Sequence, residues 1–192
     1  MPRILVLFGT TDGHTAKIAG AVRAALESEG CSVDVVNAGT GTAGVTPEPY
    51  DGVIVAASVR AGKFQRPVRR WVRDHREALN IRPTAFLSVC LGIVEHNARA
   101  RSELETILSR FLHETGWHPA IRKFVAGATP FTRYNFFIKW VMRRIVTKAL
   151  GHVDTTRDTE YTDWDDLRSF SREFARLAIP RELPASYEVA WS

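Results

Sequence analysis

Uninterrupted apolar runs alternate along this chain with segments in which apolar residues recur at helical spacing. The runs at 4–8, 52–57 and 84–89 lack polar alternation, which is typical of strands buried on both faces of a parallel sheet. Weaker runs at 32–36 and 120–126 predict a second and a fifth strand in chain order. Strands that alternate with helices in this way predict an α/β fold, a doubly wound parallel sheet with helices on both faces.

The helices follow from the spacing of the apolar residues between these runs. It predicts helices over 18–26, 68–79 and 104–112. A last helix is expected to begin near Thr162, where acidic residues favour a helix start, and to bury Trp164, Leu167, Phe170, Phe174 and Leu177.

The regular pattern stops at Thr129, well before this last helix. We therefore expect one domain over 1–179, with an insertion at 129–160 near the fifth strand. Residues 180–192 contain two prolines and little periodicity, and are expected to form a tail.

Composition narrows the class of protein. The 192 residues fit one domain, 45% of them are hydrophobic, and the net charge is +5. Two cysteines are too few for a disulfide framework or a cysteine metal cluster, which favours a reduced compartment. The first apolar run is too short for a signal peptide, and no run reaches the roughly 18 residues of a membrane span. We expect a cytoplasmic protein, and leave open peripheral contact with the inner face of the cell membrane.

The loop between the first strand and the first helix has the character of a phosphate site. In open α/β sheets, ligands bind at the carboxyl ends of the strands, and helix N-termini favour anions. Thr10, Thr11 and Thr15 add hydroxyl donors, and Gly13 allows close approach of the backbone. The sequence lacks the Gly-Lys-Ser/Thr of a P-loop and the spacing of a dinucleotide fingerprint. Neutral donors suit one phosphomonoester, and the alternative is a capped turn rich in small polar residues.

This loop, Thr10-Thr-Asp-Gly-His-Thr15, resembles the FMN phosphate loop of flavodoxins. It is most similar to that of the flavodoxin-type, quinone-dependent protoporphyrinogen oxidases. Further stretches at 56–64, 86–91, 126–128, 154–157 and 161–164 also resemble that family, and the likeness covers about residues 3–178. The resemblance implies a flavodoxin-like five-stranded sheet of order 2-1-3-4-5 and an FMN cofactor. It also implies electron transfer from a reduced tetrapyrrole through the flavin to a quinone.

The resemblance further implies that three loops hold the flavin. Their residues are Thr10, Thr11, Asp12, Gly13, His14 and Thr15; Ala57, Ser58, Val59, Arg60, Ala61 and Gly62; and Ser88, Val89, Cys90, Leu91 and Gly92. We assign no catalytic side chain and no metal site, because the flavin supplies the chemistry.

Three residues of these loops have open roles. Arg60 either stabilises reduced flavin or is a solvated loop residue, and Cys90 either touches the flavin or fills a strand end. No aromatic residue is clearly placed to stack on the ring, since only Phe64 is nearby, and we expect an open ring face.

The insertion is basic and aromatic. Residues 115–153 contain seven basic residues and no acidic one, and helical spacing places apolar and basic residues on opposite faces. Such a helix packs on the domain, lies on an anionic membrane, or binds a protein partner. Nucleic acid is not expected, because no nucleic-acid module accompanies it. The resemblance favours contact with substrate or membrane through Arg133, Tyr134, Phe137, Lys139, Trp140, Arg143 and Arg144.

Two other functions remain open at this stage. An electron-transfer flavodoxin is disfavoured, since ordinary flavodoxins are acidic and this chain is basic. A nicotinamide-dependent quinone reductase needs only a minimal nicotinamide site. The oligomeric state is also open, and includes a homodimer.

Overall fold

A five-stranded parallel sheet forms the centre of the molecule. The computed structural model describes residues 1–91, 93, 98–129 and 159–179. The sheet contains β1 (Arg3–Gly9), β2 (Ser32–Asn37), β3 (Gly52–Ser58), β4 (Thr84–Cys90) and β5 (Ile121–Ala126). The helices are α1 (His14–Ser28), α2 (Arg66–Asp74), α3 (Arg76–Asn80), α4 (Ala98–Thr115) and α5 (Trp164–Ala178). No helix in this described part is long and apolar enough to cross a membrane.

The strand order is β2-β1-β3-β4-β5, and every neighbouring pair is parallel. This confirms the predicted flavodoxin-like sheet. The unbroken apolar runs of β1, β3 and β4 are almost wholly buried, because helices cover both faces. The carboxyl ends of these three central strands lie at one edge, where the connections to α1, α2 and α4 begin.

Two apolar cores lie on opposite faces of the sheet. On one face Ile18, Val22 and Leu26 of α1 pack with Phe170 and Phe174 of α5. On the other face α2, α3 and α4 cover the sheet through Val68, Trp71, Val72, Leu79, Leu108 and Phe111. The helices are therefore divided between the two faces, as in a doubly wound fold.

Two details of the predicted helices were wrong. The segment 68–79 is two helices, because the chain leaves helical geometry at His75, whose backbone and ring nitrogens both contact the Trp71 carbonyl oxygen. Leu177 is 43% exposed, and Ala178 is buried in its place. At 3.6 residues per turn, the stripe through Leu167 and Phe174 continues to position 178.

The ends of the insertion pair with each other. Ala128–Thr129 (β6) and Thr159–Glu160 (β7) form an antiparallel two-stranded ladder, with Thr129 opposite Thr159. The Tyr161 N–H donates to the Gly127 carbonyl, and the Gly127 N–H donates to the Cys90 carbonyl. This ladder, the stem, therefore fixes both ends of the insertion beside the end of β4. The predicted contact residues between Arg133 and Arg144, and the tail at 180–192, lie outside the described residues.

Candidate functional site

A cleft of about 280 Å³ opens at the carboxyl edge of the sheet. It is bounded by the β1–α1 loop (the phosphate loop, 10–15), the β3–α2 loop (the second loop, 57–62) and the end of β4 (the third loop, 88–92). The stem adds Gly127 and Ala128 to its wall. Of the residues predicted to hold the flavin, the cleft is lined by Thr10, Thr11, Asp12, His14, Thr15, Ser58, Val59, Arg60, Ala61, Val89, Cys90 and Leu91.

Four other predicted residues do not line the cleft. Gly13 and Gly62 shape the turns of their loops. Ala57 packs in the core on the α2 side of the sheet, and Ser88 is buried within β4. Gly92 lies outside the described residues.

The phosphate loop places the start of α1 at the cleft. Gly13 has φ +91°, a left-handed conformation that favours glycine, and it caps α1. Its N–H donates to Thr10 Oγ1 at 2.9 Å, which closes the loop. The Ala16 N–H donates to the Gly13 carbonyl at 3.1 Å. The amides of His14 and Thr15 precede it at the start of α1, where backbone N–H groups lack acceptors within the helix. Thr15 lies in the first turn, buried, with its side chain on the cleft wall.

The second loop is a tight β-turn. The backbone N–H groups of Arg60 and Lys63 each donate to the other residue's carbonyl, at 2.9 and 3.1 Å. Ala61 and Gly62 between them have φ +48° and +71°, the signs of a type I′ turn. The Arg60 guanidinium lies 3.7 Å from the Asp12 carboxylate of the phosphate loop. This ion pair connects two of the three loops across the mouth of the cleft.

His14 connects the phosphate loop to the chain beyond the insertion. Thr162 Oγ1 donates to the Ala126 carbonyl at 2.6 Å, and therefore accepts from His14 Nε2, which lies 2.7 Å away. Burial lowers the pKa of His14. The nearby Glu160 carboxylate raises this pKa, but by less than burial lowers it. The ring is thus neutral, with its proton on Nε2. We name this arrangement of His14, Thr162 and Ala126 the clip.

Sequence reasoning assigned no site role to Thr162, Gly127 or Ala128. These residues lie in the stretches 126–128 and 161–164, and the resemblance of those stretches to the family was the sequence feature that pointed to them. Phe64, the one aromatic residue near the second loop, packs against Phe86 and Phe111 at ring-centroid distances of 5.0 Å. Phe64 is therefore part of the core and is not placed to stack on a ring in the cleft. The described walls of the cleft include the aliphatic side chains of Val59 and Leu91.

Cys90 lies at the end of β4 with a buried side chain on the cleft wall. Burial raises the pKa of its thiol to about 12. The thiol is therefore neutral at physiological pH and does not act as a thiolate nucleophile.

We expect Cys90 in the folded protein to react with iodoacetamide roughly a thousandfold more slowly than an ordinary thiol, since each pKa unit removes tenfold of the thiolate. Mass spectrometry of the labelled protein measures this, with urea-unfolded protein as the control. Because the folded pKa exceeds the unfolded value of 9.0, the free energy of unfolding should fall as the pH rises from 9.0 toward 12. Equally fast labelling of Cys90 in the folded and unfolded protein would contradict its burial.

The chain is similar in sequence to known proteins over most of its length. Residues 5–156 match the family model described as a flavodoxin domain. Over 179 residues the chain is 31% identical to the protoporphyrinogen IX dehydrogenase (quinone) of Escherichia coli strain K12, with 91% of this chain and 96% of that protein covered. It is 33% identical to the protein of the same name from Leishmania major, with 93% and 77% covered.

Solved flavodoxin structures share the fold. The flavodoxin of Megasphaera elsdenii matches with a TM-score of 0.54 at 9% identity, covering 90% of this chain and 98% of that one. Flavodoxin 2 of Bacillus cereus matches with a TM-score of 0.53 at 16% identity, covering 91% and 98%. At such identities the likeness shows the fold alone. Together with the sequence relatives, these findings show that the chain belongs to the flavodoxin family and, within it, to the flavodoxin-type protoporphyrinogen IX dehydrogenases (quinone).

Proposed function

We propose that this chain is an FMN-dependent oxidoreductase that oxidises protoporphyrinogen IX and passes the electrons to a quinone. The observation that carries the proposal is the shape of the cleft. A flavin-type phosphate loop forms one end, and the stem of a basic, aromatic insertion forms part of the wall. The cleft and the two ends of the insertion therefore lie at one edge of the sheet.

The residues of the cleft fit FMN. Threonine hydroxyls and the first amides of α1 are neutral donors, which suit the terminal phosphate of a mononucleotide. The second and third loops, which leave neighbouring strands, would hold the isoalloxazine ring between them. Bound there, FMN supplies the two-electron redox chemistry.

The side chains around the cleft determine access to the ring. Val59 and Leu91 are aliphatic, so the described walls leave room for a flat, apolar substrate. Arg60 is the cation of the second loop, and its guanidinium would favour negative charge at the pyrimidine edge of a flavin. The neutral Cys90 thiol adds no charge to the third loop.

The insertion supplies the features that a large amphipathic substrate needs. Residues 130–153 hold five basic residues and no acidic one, interleaved with aromatic residues from Phe131 to Trp140. Basic groups beside aromatic rings suit the propionates and the macrocycle of protoporphyrinogen. A quinone dissolved in lipid also requires contact with the membrane, so we place the protein peripherally on the inner face of the cell membrane.

An anaerobic mixing experiment tests the function. Protein loaded with FMN should lose its visible flavin absorbance on addition of protoporphyrinogen IX, and porphyrin fluorescence should rise. A menaquinone analogue should then restore the flavin absorbance. Bleaching by reduced nicotinamide and not by protoporphyrinogen would make the chain a nicotinamide-dependent quinone reductase. Slow bleaching by both donors would favour an electron carrier.

A further inference from the structure

Charge is divided unevenly along the chain. Residues 60–123 contain thirteen basic and six acidic residues, an excess larger than the +5 of the whole protein. Residues 1–59 contain three basic and six acidic residues, and residues 159–179 contain three and five. The basic segment supplies α2, α3 and α4, and the flanking segments supply α1 and α5. Among these helices α2 carries the excess, with four arginines and one aspartate, whereas α3 and α4 each contain equal numbers of basic and acidic residues.

Helix α2 concentrates this charge. Its inner side buries Val68, Trp71 and Val72, and Arg66, Arg70 and Arg73 are exposed on the outer side. Arg69 is half-buried beside α4, where its guanidinium donates to the Glu114 carboxylate at 3.0 Å. Arg70 and Arg73 have side chains 81% and 58% exposed, and both pair with the single acidic residue of the helix, Asp74. We name the outer side of α2, which comprises Arg66, Arg70 and Arg73, the arginine face.

The arginine face is recessed on one side. A cleft of about 660 Å³ lies between α2 and Gly41 and Thr42 of the β2–β3 connection. All three arginines of the face line it, together with Arg69 and Asp74. A groove with several guanidinium groups suits phosphate groups, because each guanidinium can donate two parallel hydrogen bonds to one phosphate.

The arginine face adjoins the flavin cleft. Helix α2 begins at Arg66, directly after the type I′ turn of the second loop, which carries Arg60 and Lys63. Arg69 also lines a smaller depression with Gly62 and Lys63 of that turn. Basic side chains therefore lie both at the rim of the cleft and along the outside of α2, with Asp12 and Glu114 paired to Arg60 and Arg69 between them.

We propose that the arginine face docks on an anionic lipid bilayer and turns the second loop toward the membrane. Lipid headgroups present the dense layer of phosphates that such a face complements. Repulsion of the acidic segments around α1 and α5 from the same layer would fix the orientation. The proposal rests on the proposed function, since a lipid-dissolved quinone must reach the flavin beside this loop.

Charge reversal of the face tests the proposal. The variant R66E/R70E/R73E is compared with R168E/R172E/R176E, which reverses three arginines on α5 and changes the net charge equally. Sedimentation with vesicles of phosphatidylcholine and phosphatidylglycerol, in a ratio of about three to one, measures binding. At about 1 kcal/mol per basic residue near the surface, the α2 variant should bind at least about a hundredfold more weakly, and the α5 variant should bind like the native protein. Native binding should also weaken with salt and be absent on neutral phosphatidylcholine.

Several results would overturn the docking proposal. Equal loss in both variants would mean that only net charge matters, and unchanged binding of the α2 variant would assign the membrane contact elsewhere. Tighter native binding to duplex DNA than to the vesicles at equal salt would replace the lipid with nucleic acid. R66Q/R70Q/R73Q serves as a milder second variant, so that a folding defect of the glutamate variant does not decide the result.

Activity in solution separates this proposal from the proposed function. Flavin content and protoporphyrinogen oxidation with a water-soluble quinone analogue should be unchanged in the α2 variant. With a long-chain quinone in anionic vesicles, its turnover should fall in parallel with vesicle binding. Vesicle binding without any protoporphyrinogen oxidation in the native protein would refute the function and leave the docking surface intact.

Discussion

Replacement of residues 130–158 with an Asn-Gly turn is expected to leave a folded, yellow protein that has lost most of its protoporphyrinogen oxidation. Thr129 and Thr159 are paired neighbours in the antiparallel stem, so a two-residue turn can join them. The three flavin loops precede the insertion in the chain and lie on the sheet framework. We expect kcat/KM for protoporphyrinogen to fall about a hundredfold, which corresponds to the loss of about 3 kcal/mol of transition-state stabilisation.

A small acceptor provides the control for this deletion. Ferricyanide needs no extended binding surface, so it should re-oxidise the reduced flavin of the deletion variant at a rate within about twofold of the native protein. Binding to anionic vesicles should weaken, because the deletion also removes Arg133, Lys139, Arg143, Arg144 and Lys148. Loss of flavin together with the fold would show that the insertion belongs to the core. Full activity and full vesicle binding would refute its role with substrate and with membrane.

Thr15→Val is expected to weaken FMN binding by about tenfold to a hundredfold, the usual range for loss of a hydrogen bond to a charged group. The substitution keeps the shape of a buried side chain at the lining of the cleft and removes only its hydroxyl. Riboflavin, which lacks the phosphate, should bind the native and variant proteins equally. Fluorescence titration of the apoprotein with each flavin measures both dissociation constants.

The matched control for this substitution is Thr115→Val. Thr115 is an equally buried threonine whose hydroxyl donates to the Phe111 carbonyl at 2.9 Å, and it does not line the cleft. Its replacement should lower the free energy of unfolding and leave the dissociation constant for FMN unchanged. Equal weakening of FMN and riboflavin by Thr15→Val would show that Thr15 supports the loop and does not contact the phosphate.

The parts of the fold that could be predicted depend on short-range patterns. Strands β1, β3 and β4 could be predicted from their uninterrupted apolar sequences, because a strand covered on both faces needs no alternation of apolar and polar residues. The position of the β1–α1 loop at the cleft was also predictable, because ligands in open α/β sheets bind at the carboxyl ends of the strands. Its role in binding phosphate stays a prediction.

The parts that could not be predicted depend on long-range contacts or on unusual backbone. Nothing local marks Ala61 for a positive φ, which residues other than glycine, asparagine and aspartate rarely adopt. The break at His75 arises from a side chain that bonds to its own helix. Thr162 meets His14 across 148 residues of sequence, a distance at which local pattern carries no information.

The clip also has a consequence for the order of assembly. Because Thr162 lies after the insertion, a chain emerging from the ribosome has β1, the phosphate loop and all five sheet strands before it can close the contact with His14. Long-range contacts of this kind form late, after the costly loop between them has closed. The nascent protein can therefore close the clip only after synthesis has passed the insertion.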